Sequence, residues 1–206
     1  AQHREMLDQV LGYFEVRPDY DLNIMRKEQT LSQITSRILE EMESILTKEK
    51  PDIVLVHGDT TTTAAVSLAA FYHQIPIGHV EAGLRTWDKY SPFPEEMNRQ
   101  ITDVLSDLYF VPTEKSKANL LMENHDESKI FITGNTVIDA LQYTLKTNYY
   151  HPILENIGKT DKKIILLTMH RRENQGQPML NVFNAVKNVA MDYQDEVEVV
   201  FPVHLN

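Results

Sequence analysis

The sequence contains no cysteine among its 206 residues. Disulfides and thiolate-held metals are therefore excluded, and nothing calls for an oxidising compartment. Long apolar runs are missing too: none approaches the ~18 residues that span a bilayer. The first residues do not read as a signal-peptide core, so a cytoplasmic location is the expectation. Positive charge is scarce, with 20 Lys plus Arg against 30 Asp plus Glu and a formal net charge of -10. That balance argues against duplex nucleic acid or an anionic membrane as the main partner, but leaves room for a small anion held by local cations. Glycine is sparse, and neither GxGxxG nor GxxxxGK followed by Ser or Thr occurs, so dinucleotide and P-loop readings gain no support. The histidines form neither HExxH nor another familiar ligand spacing, and no metal site is expected.

What is present is a chain with 42% hydrophobic side chains, enough for one large core or two small ones. Met6, Leu7, Val10, Leu11 and Phe14 recur at helical spacing, with Gly12 and Pro18 marking a stop. Leu31, Ile34, Ile38, Leu39, Met42, Ile45 and Leu46 predict a longer helix that ends ahead of Pro51. The apolar runs DIVLV, IPIGHV, DLYFV and KIFIT then each precede a helical segment, near 62–73, 94–106, 113–124 and 136–147. Short apolar strands alternating with helices predict a doubly wound parallel sheet. Residues 148–161, NYYHPILENIGKTD, carry no clear periodicity and read as a connection. A second α/β unit starts with KKIILLTM and continues through a helix over about 179–191 to EVEVVFPV. The expected domains are thus 1–147 and 162–206, joined by 148–161. Both ends look cut, and an internal piece of a longer polypeptide is the expectation.

Ligands of open α/β sheets bind beyond the carboxyl ends of the strands. The residues there are His57, Gly58 and Asp59, then Glu81, Gly83 and Arg85, then Pro112 and Thr113, then Gly134 and Asn135. The second unit places His170, Arg171, Arg172, Glu173 and Asn174 at the equivalent point. In HGDTTTT, Gly58 allows a tight turn, a threonine can cap the next helix, and the free N–H groups of its first turn attract an anion. A plain N-cap with Asp59 near the helix dipole would explain the same residues without a ligand. Glu81, straight after a buried strand, needs a partner, and Arg85 four residues on is the nearest in sequence. In SPFPEEMNRQITDVL, Met97, Ile101, Val104 and Leu105 share one helical face, while Glu95, Asn98, Arg99 and Thr102 share nearly the opposite one. Glu95 and Arg99 would make an ordinary surface i, i+4 bridge. Pro92 and Pro94, however, fix the approach to this helix as though Glu95 were being aimed. MHRRENQG concentrates cation in an acidic chain, as a phosphate clamp would. His79 within a strand and Trp87 in a loop read as packed or hydrogen-bonded groups, whereas His57 at its strand's edge stays a candidate. Carboxylates on one unit and cations on the other suit acid/base work on a phosphate-bearing substrate. Sugar transfer, epimerisation and hydrolysis all remain open on that ground.

Taken together, HGDTTTTAAVSLAAF, IPIGHVEAGLRTWDKYSPFPEEMNRQITDVLSD, ITGNTVIDAL and MHRRENQG resemble the non-hydrolysing UDP-N-acetylglucosamine 2-epimerases of bacteria, in order and spacing and over nearly the whole chain. The resemblance implies a glycosyltransferase-B-type fold of two Rossmann-like domains, here incomplete at both ends, and usually a homodimer. It implies interconversion of UDP-N-acetylglucosamine and UDP-N-acetylmannosamine without NAD, another cofactor or a catalytic metal, in supply of surface polysaccharide. Asp59, Glu81 and Glu95 would be the acid/base carboxylates, with His170 assisting at the diphosphate and Arg99, Arg171 and Asn174 in support. Relatives can also hold a second UDP-N-acetylglucosamine as activator, which by resemblance would touch Gln2, His3, Gln29 and His204; Glu28 stands where some relatives carry Arg. A glycosyltransferase of the same fold, a hydrolysing 2-epimerase and a silent nucleotide-sugar sensor are the competing readings.

Overall fold

The computed structural model describes residues 4–26, 28–159, 161–169 and 176–203. The chain divides into two compact units, Ala1–Thr144 and Leu145–Asn206.

The first unit opens with helices α1 (Arg4–Tyr13) and α2 (Leu31–Glu49). A capping box starts α2: the Thr30 hydroxyl accepts from the Gln33 N–H, and the Gln33 side chain accepts from the Thr30 N–H. Lys50 closes it in the left-handed conformation, just ahead of Pro51. Strands β1 (Val54–His57), β2 (Ile77–Val80), β3 (Leu108–Val111) and β4 (Ile130–Ile132) follow, and all pair in parallel in the order β1-β2-β3-β4. The crossovers are α3 (Thr61–Tyr72), α4 (Glu95–Leu105) and α5 (Glu114–Met122), and α6 (Thr136–Thr144) comes after β4. The alternation read from the sequence thus folds as a parallel α/β sheet. His57 pairs with Val80, and Val80 with Phe110, so β1 and β2 end level and release their next residues at one edge.

Small residues decide how tightly the helices lie. Ala65, Ser67, Ala69 and Ala70 of α3 are buried, and α3 packs against both α2 and α4. Val56, Ala70 and Ile77 form one core cluster, with Val54, Val66, Ile75 and Leu105 against it. Ala82, Tyr109, Val111, Leu120 and Ile130 form a second.

Helix α4 departs from the usual apolar-inward arrangement. Its buried residues are Glu96, Arg99, Thr102 and Asp103, whereas Ile101 and Val104 are 44% and 74% exposed. An inward polar face is stable only if its groups are paired, and these are, as the site geometry shows.

The second unit contains α7 (Pro152–Ile157), β5 (Lys163–Leu166), α8 (Gln177–Asp192) and β6 (Val197–Val200), with β5 and β6 paired in parallel. Helix α7 lies within the stretch that shows no periodicity. His151 caps it by accepting from the Ile153 N–H and Pro152 occupies its first turn, so local capping forms a helix too short to display a repeat. Among the described residues no helix is long and apolar enough to cross a membrane.

Candidate active site

The turn after β1 begins the site. Gly58 adopts φ +74, a conformation L residues rarely take, and its N–H donates to Val80 O at 3.0 Å. Thr60 caps α3 by accepting from the Thr63 N–H, and the Thr63 hydroxyl donates to His57 O at 2.6 Å. One threonine is therefore the cap and another locks the end of the strand, with Asp59 between strand and cap.

After β2 the chain turns sharply. Glu81 lies at φ +66, and the N–H groups of Glu81 and Ala82 both donate to Phe110 O. Such a backbone is costly for a glutamate and persists only where the surroundings enforce it. Gly83, at φ +76, completes the turn; a Cβ there would lie 2.4 Å from Ser116 O.

Helix α4 brings the cation. Arg99 is 5% exposed, and its Nη2 lies 2.6 Å from Asp59 Oδ2 and 3.4 Å from Glu81 Oε2. Its Nη1 donates to the Glu81 carbonyl, and the neighbouring Asn98 Nδ2 donates to Asp59 O at 2.9 Å. One guanidinium thus holds two carboxylates delivered by adjacent strands, and the side chains of Asp59 and Glu81 keep 33% and 23% of their exposure. Shared hydrogen bonding to a planar cation fixes both acids and offsets their mutual repulsion. Glu95, one turn before Arg99, is half-buried, and its side chain has no hydrogen bond or ion pair to another described residue.

Two pairings read from spacing are corrected here. Arg99 does not bridge to Glu95, and Glu81 does not pair with Arg85. The Arg85 guanidinium instead binds Asp103 Oδ2 and Glu123 Oε2, each at 2.6 Å. Neither Glu81 nor Arg85 lies in a helix, so four-residue spacing does not bring them together.

Behind the acids lies a second layer that spacing did not reveal. Glu96 accepts from the N–H groups of Thr86 and Trp87 and from the Gln100 side chain. Burial opposes its charge, but these donors outweigh burial and hold its carboxyl below the usual glutamate range. Burial likewise opposes the charge on Asp103, and His79 and Arg85 outweigh it, so Asp103 is also held low. Tyr109, buried next to Asp103, is pushed up to about 12, first by burial and then by the Asp103, Asp107 and Glu123 charges. His79 is fully buried and hydrogen-bonded, as its place within a strand suggested. The available signal was the i, i+4 relation of Arg99 and Asp103 on the same inward face as Glu96.

His57 is exposed, with Nε2 3.3 Å from Thr136 Oγ1. Pro112, Thr113, Gly134 and Asn135 line an open cleft of about 460 Å³ with Leu84, Ile138 and Asp139. Gln29 holds the loop before α2: its Oε1 accepts from the Arg26 N–H and its Nε2 donates to Ile24 O. His170, Arg171 and Asn174, and likewise Gln2, His3 and His204, lie outside the described residues. Among the described residues no group of three or more His, Asp or Glu is placed to hold a metal ion.

A family model for UDP-N-acetylglucosamine 2-epimerase matches residues 1–206. The chain belongs to the UDP-N-acetylglucosamine 2-epimerase family. It is 59% identical over 206 residues to the UDP-N-acetylglucosamine 2-epimerase of Bacillus subtilis, covering 100% of this chain and 53% of that protein. A co-structure of S. aureus MnaA with UDP superposes with a TM-score of 0.93 at 56% identity, covering 100% of this chain and 54% of that one. The UDP-GlcNAc 2-epimerase of Neisseria meningitidis bound to UDP-GlcNAc gives a TM-score of 0.90 at 51% identity, covering 100% and 57%. The chain therefore spans about half the length of these epimerase-family relatives, and its parallel α/β units share their glycosyltransferase-B-like fold.

Proposed function

We propose that this chain carries the acid/base half of an enzyme that reversibly epimerises UDP-N-acetylglucosamine at C2 to UDP-N-acetylmannosamine. The observation that carries the reading is the pair of carboxylates, Asp59 and Glu81, held by one buried guanidinium at the carboxyl edge of a parallel sheet, with the Glu95 carboxylate on the same helix as Arg99. The C2 hydrogen of this sugar is not next to a carbonyl, so a carboxylate alone is too weak a base for it. As the C1–O bond to UDP breaks, positive charge develops at C1 and acidifies the neighbouring C–H. Removal of the proton by a carboxylate then gives 2-acetamidoglucal and UDP. Re-addition of UDP at C1 with proton delivery to the opposite face of C2 gives the epimer, and microscopic reversibility requires an acid/base group at each face. Asp59, Glu81 and Glu95 are the acid/base groups in this reading, and Arg99 orients the first two.

In the same reading His170 assists at the departing diphosphate, and Arg171 and Asn174 help to bind the substrate, Arg171 as a cation suited to a phosphate and Asn174 as a hydrogen-bond donor. No cofactor or metal takes part. A second UDP-N-acetylglucosamine bound near Gln2, His3, Gln29 and His204 acts as activator, and the enzyme works as a cytoplasmic homodimer of two-domain subunits divided near residues 148–161. The matched relatives with UDP and with UDP-GlcNAc bound support the ligand class.

The experiment is proton NMR of UDP-N-acetylglucosamine incubated without added metal with the polypeptide that carries this segment at its relatives' full length. UDP-N-acetylmannosamine approaching equilibrium from either side supports the proposal. Free N-acetylmannosamine with UDP would make it a hydrolysing epimerase, and UDP release only with an added acceptor would make it a transferase.

A further inference from the structure

The buried pair His79–Asp103 ties the elements of the site together from beneath. His79 lies in β2, two residues before Glu81, and both it and Asp103 have fully buried side chains. Its Nδ1 is 2.5 Å from Asp103 Oδ1, and its Nε2 is 2.8 Å from Gly58 O. Asp103 is on α4, one turn after Arg99, and its Oδ2 also accepts from Arg85 Nη2 at 2.6 Å and the Gly83 N–H at 3.3 Å. One side chain pair therefore reaches the turn after β1, the turn after β2 and the helix that carries Arg99.

The Gly58 contact matters most. A carbonyl oxygen accepts only, so His79 Nε2 must donate to it. Asp103 already takes two donors, one from a guanidinium, and faces Nδ1 as an acceptor as well. Nε2 thus carries hydrogen toward the Gly58 carbonyl, and the ring that presents it is held from its other side by the Asp103 carboxylate. That carbonyl belongs to the peptide joining Gly58 to Asp59. The peptide is trans, the cis bonds being those before Pro92 and Pro94, so fixing its C=O toward His79 turns the Asp59 N–H away from the buried pair. At φ +74, Gly58 gives this peptide little steric preference of its own, and His79 supplies the missing constraint.

We propose that His79, braced by Asp103, is a positioning residue that sets the orientation of the Gly58–Asp59 peptide and thereby the aim of the Asp59 carboxylate. The inference rests on the reading of Asp59 as an acid/base group. A displaced reacting group can cost on the order of 10²-fold in rate even when binding is kept. The loss therefore falls on kcat, with KM nearly unchanged.

The test uses the full-length polypeptide with His79→Phe, His79→Gln and Asp59→Asn made in parallel, rates being normalised to the UDP-binding fraction of each preparation. His79→Phe is expected to lower kcat roughly 10–100-fold with KM within about threefold. His79→Gln, which keeps one donor for Gly58 O, is expected to recover part of that loss. Wild-type kcat per bound UDP in both His79 variants, with Asp59→Asn inactive, overturns the positioning role and leaves the acid/base reading standing. Full activity in Asp59→Asn overturns that reading and the inference with it. A nitrogen-15 spectrum of the wild-type imidazole decides independently of any variant's folding: a proton on Nε2 supports the assignment, and an unprotonated Nε2 overturns it.

Discussion

Removing the Arg99 guanidinium is the sharpest perturbation of the site. In Arg99→Met the apolar stem is retained in length while three contacts are lost, those to Asp59 Oδ2, Glu81 Oε2 and the Glu81 carbonyl. Breaking a fully buried ion pair by deleting one partner costs about 3–5 kcal/mol. Asp59 and Glu81 keep 33% and 23% exposure, so water recovers part of their hydration and about 2–3 kcal/mol remains. The orphaned Glu81 carbonyl adds about 1 kcal/mol, for a total near 3–4 kcal/mol. Trp87 is the single tryptophan and its backbone N–H donates to Glu96, so its fluorescence reports on the first unit during urea unfolding. With slopes of about 1–3 kcal/mol/M, the midpoint should fall by roughly 1–4 M with the slope unchanged. Asp59→Asn should destabilise the parent protein but be neutral or stabilising in the Arg99→Met background, where it removes an unpaired charge. A midpoint shift under roughly 0.3 M, or the same Asp59→Asn cost in both backgrounds, would refute the argument that one cation holds both acids.

Three further outcomes are expected. Because donors outweigh burial at Glu96, its folded-state pKa is depressed, so its contribution to stability is present above the unfolded value of about 4.3 and lost as pH falls through the folded value. Glu96→Gln should therefore be less stable than the parent at neutral pH, with the gap in urea midpoint narrowing on acidification. Tyr109 titrates at about 12 against about 10 when unfolded; its contribution is complete below the unfolded value and is lost as pH rises through the folded one. Tyr109→Phe should accordingly flatten the alkaline loss of stability. Gly83→Ala must fit a Cβ 2.4 Å from a backbone oxygen at φ +76, and a cost of about 3 kcal/mol or more should show as a melting temperature lowered by several degrees.

The sheet was readable because each of its strands is a short apolar run followed by a helical segment. Thr60 and Thr113 cap α3 and α5 where the turn residues pointed. Location at the strand ends also singled out Asp59 and Glu81. The pairings were not readable. Periodicity on α4 separates an apolar from a polar face, but whether Ile101 and Val104 or Arg99 and Asp103 face the sheet depends on partners from β1, β2 and the turn after β2. Arg99 meets Glu81 across 18 residues, a relation no local spacing encodes. Glu95 and Glu96, adjacent in sequence, point roughly 100° apart; Glu96 holds the loop at Thr86 and Trp87, and Glu95 is left without such a tie. His151 and Pro152 built a helix too brief for any repeat to show.

The central claim is that carboxylates at this sheet edge exchange the C2 proton of a nucleotide sugar as UDP leaves. It is tested most directly by incubating UDP-N-acetylglucosamine in D2O with the full-length polypeptide and following C2 by proton NMR, with Asp59→Asn and Glu81→Gln in parallel. The account predicts deuterium at C2 in step with formation of UDP-N-acetylmannosamine, and severe loss of both in each variant. Epimer formed with its C2 proton retained, or undiminished exchange in both variants, would contradict it.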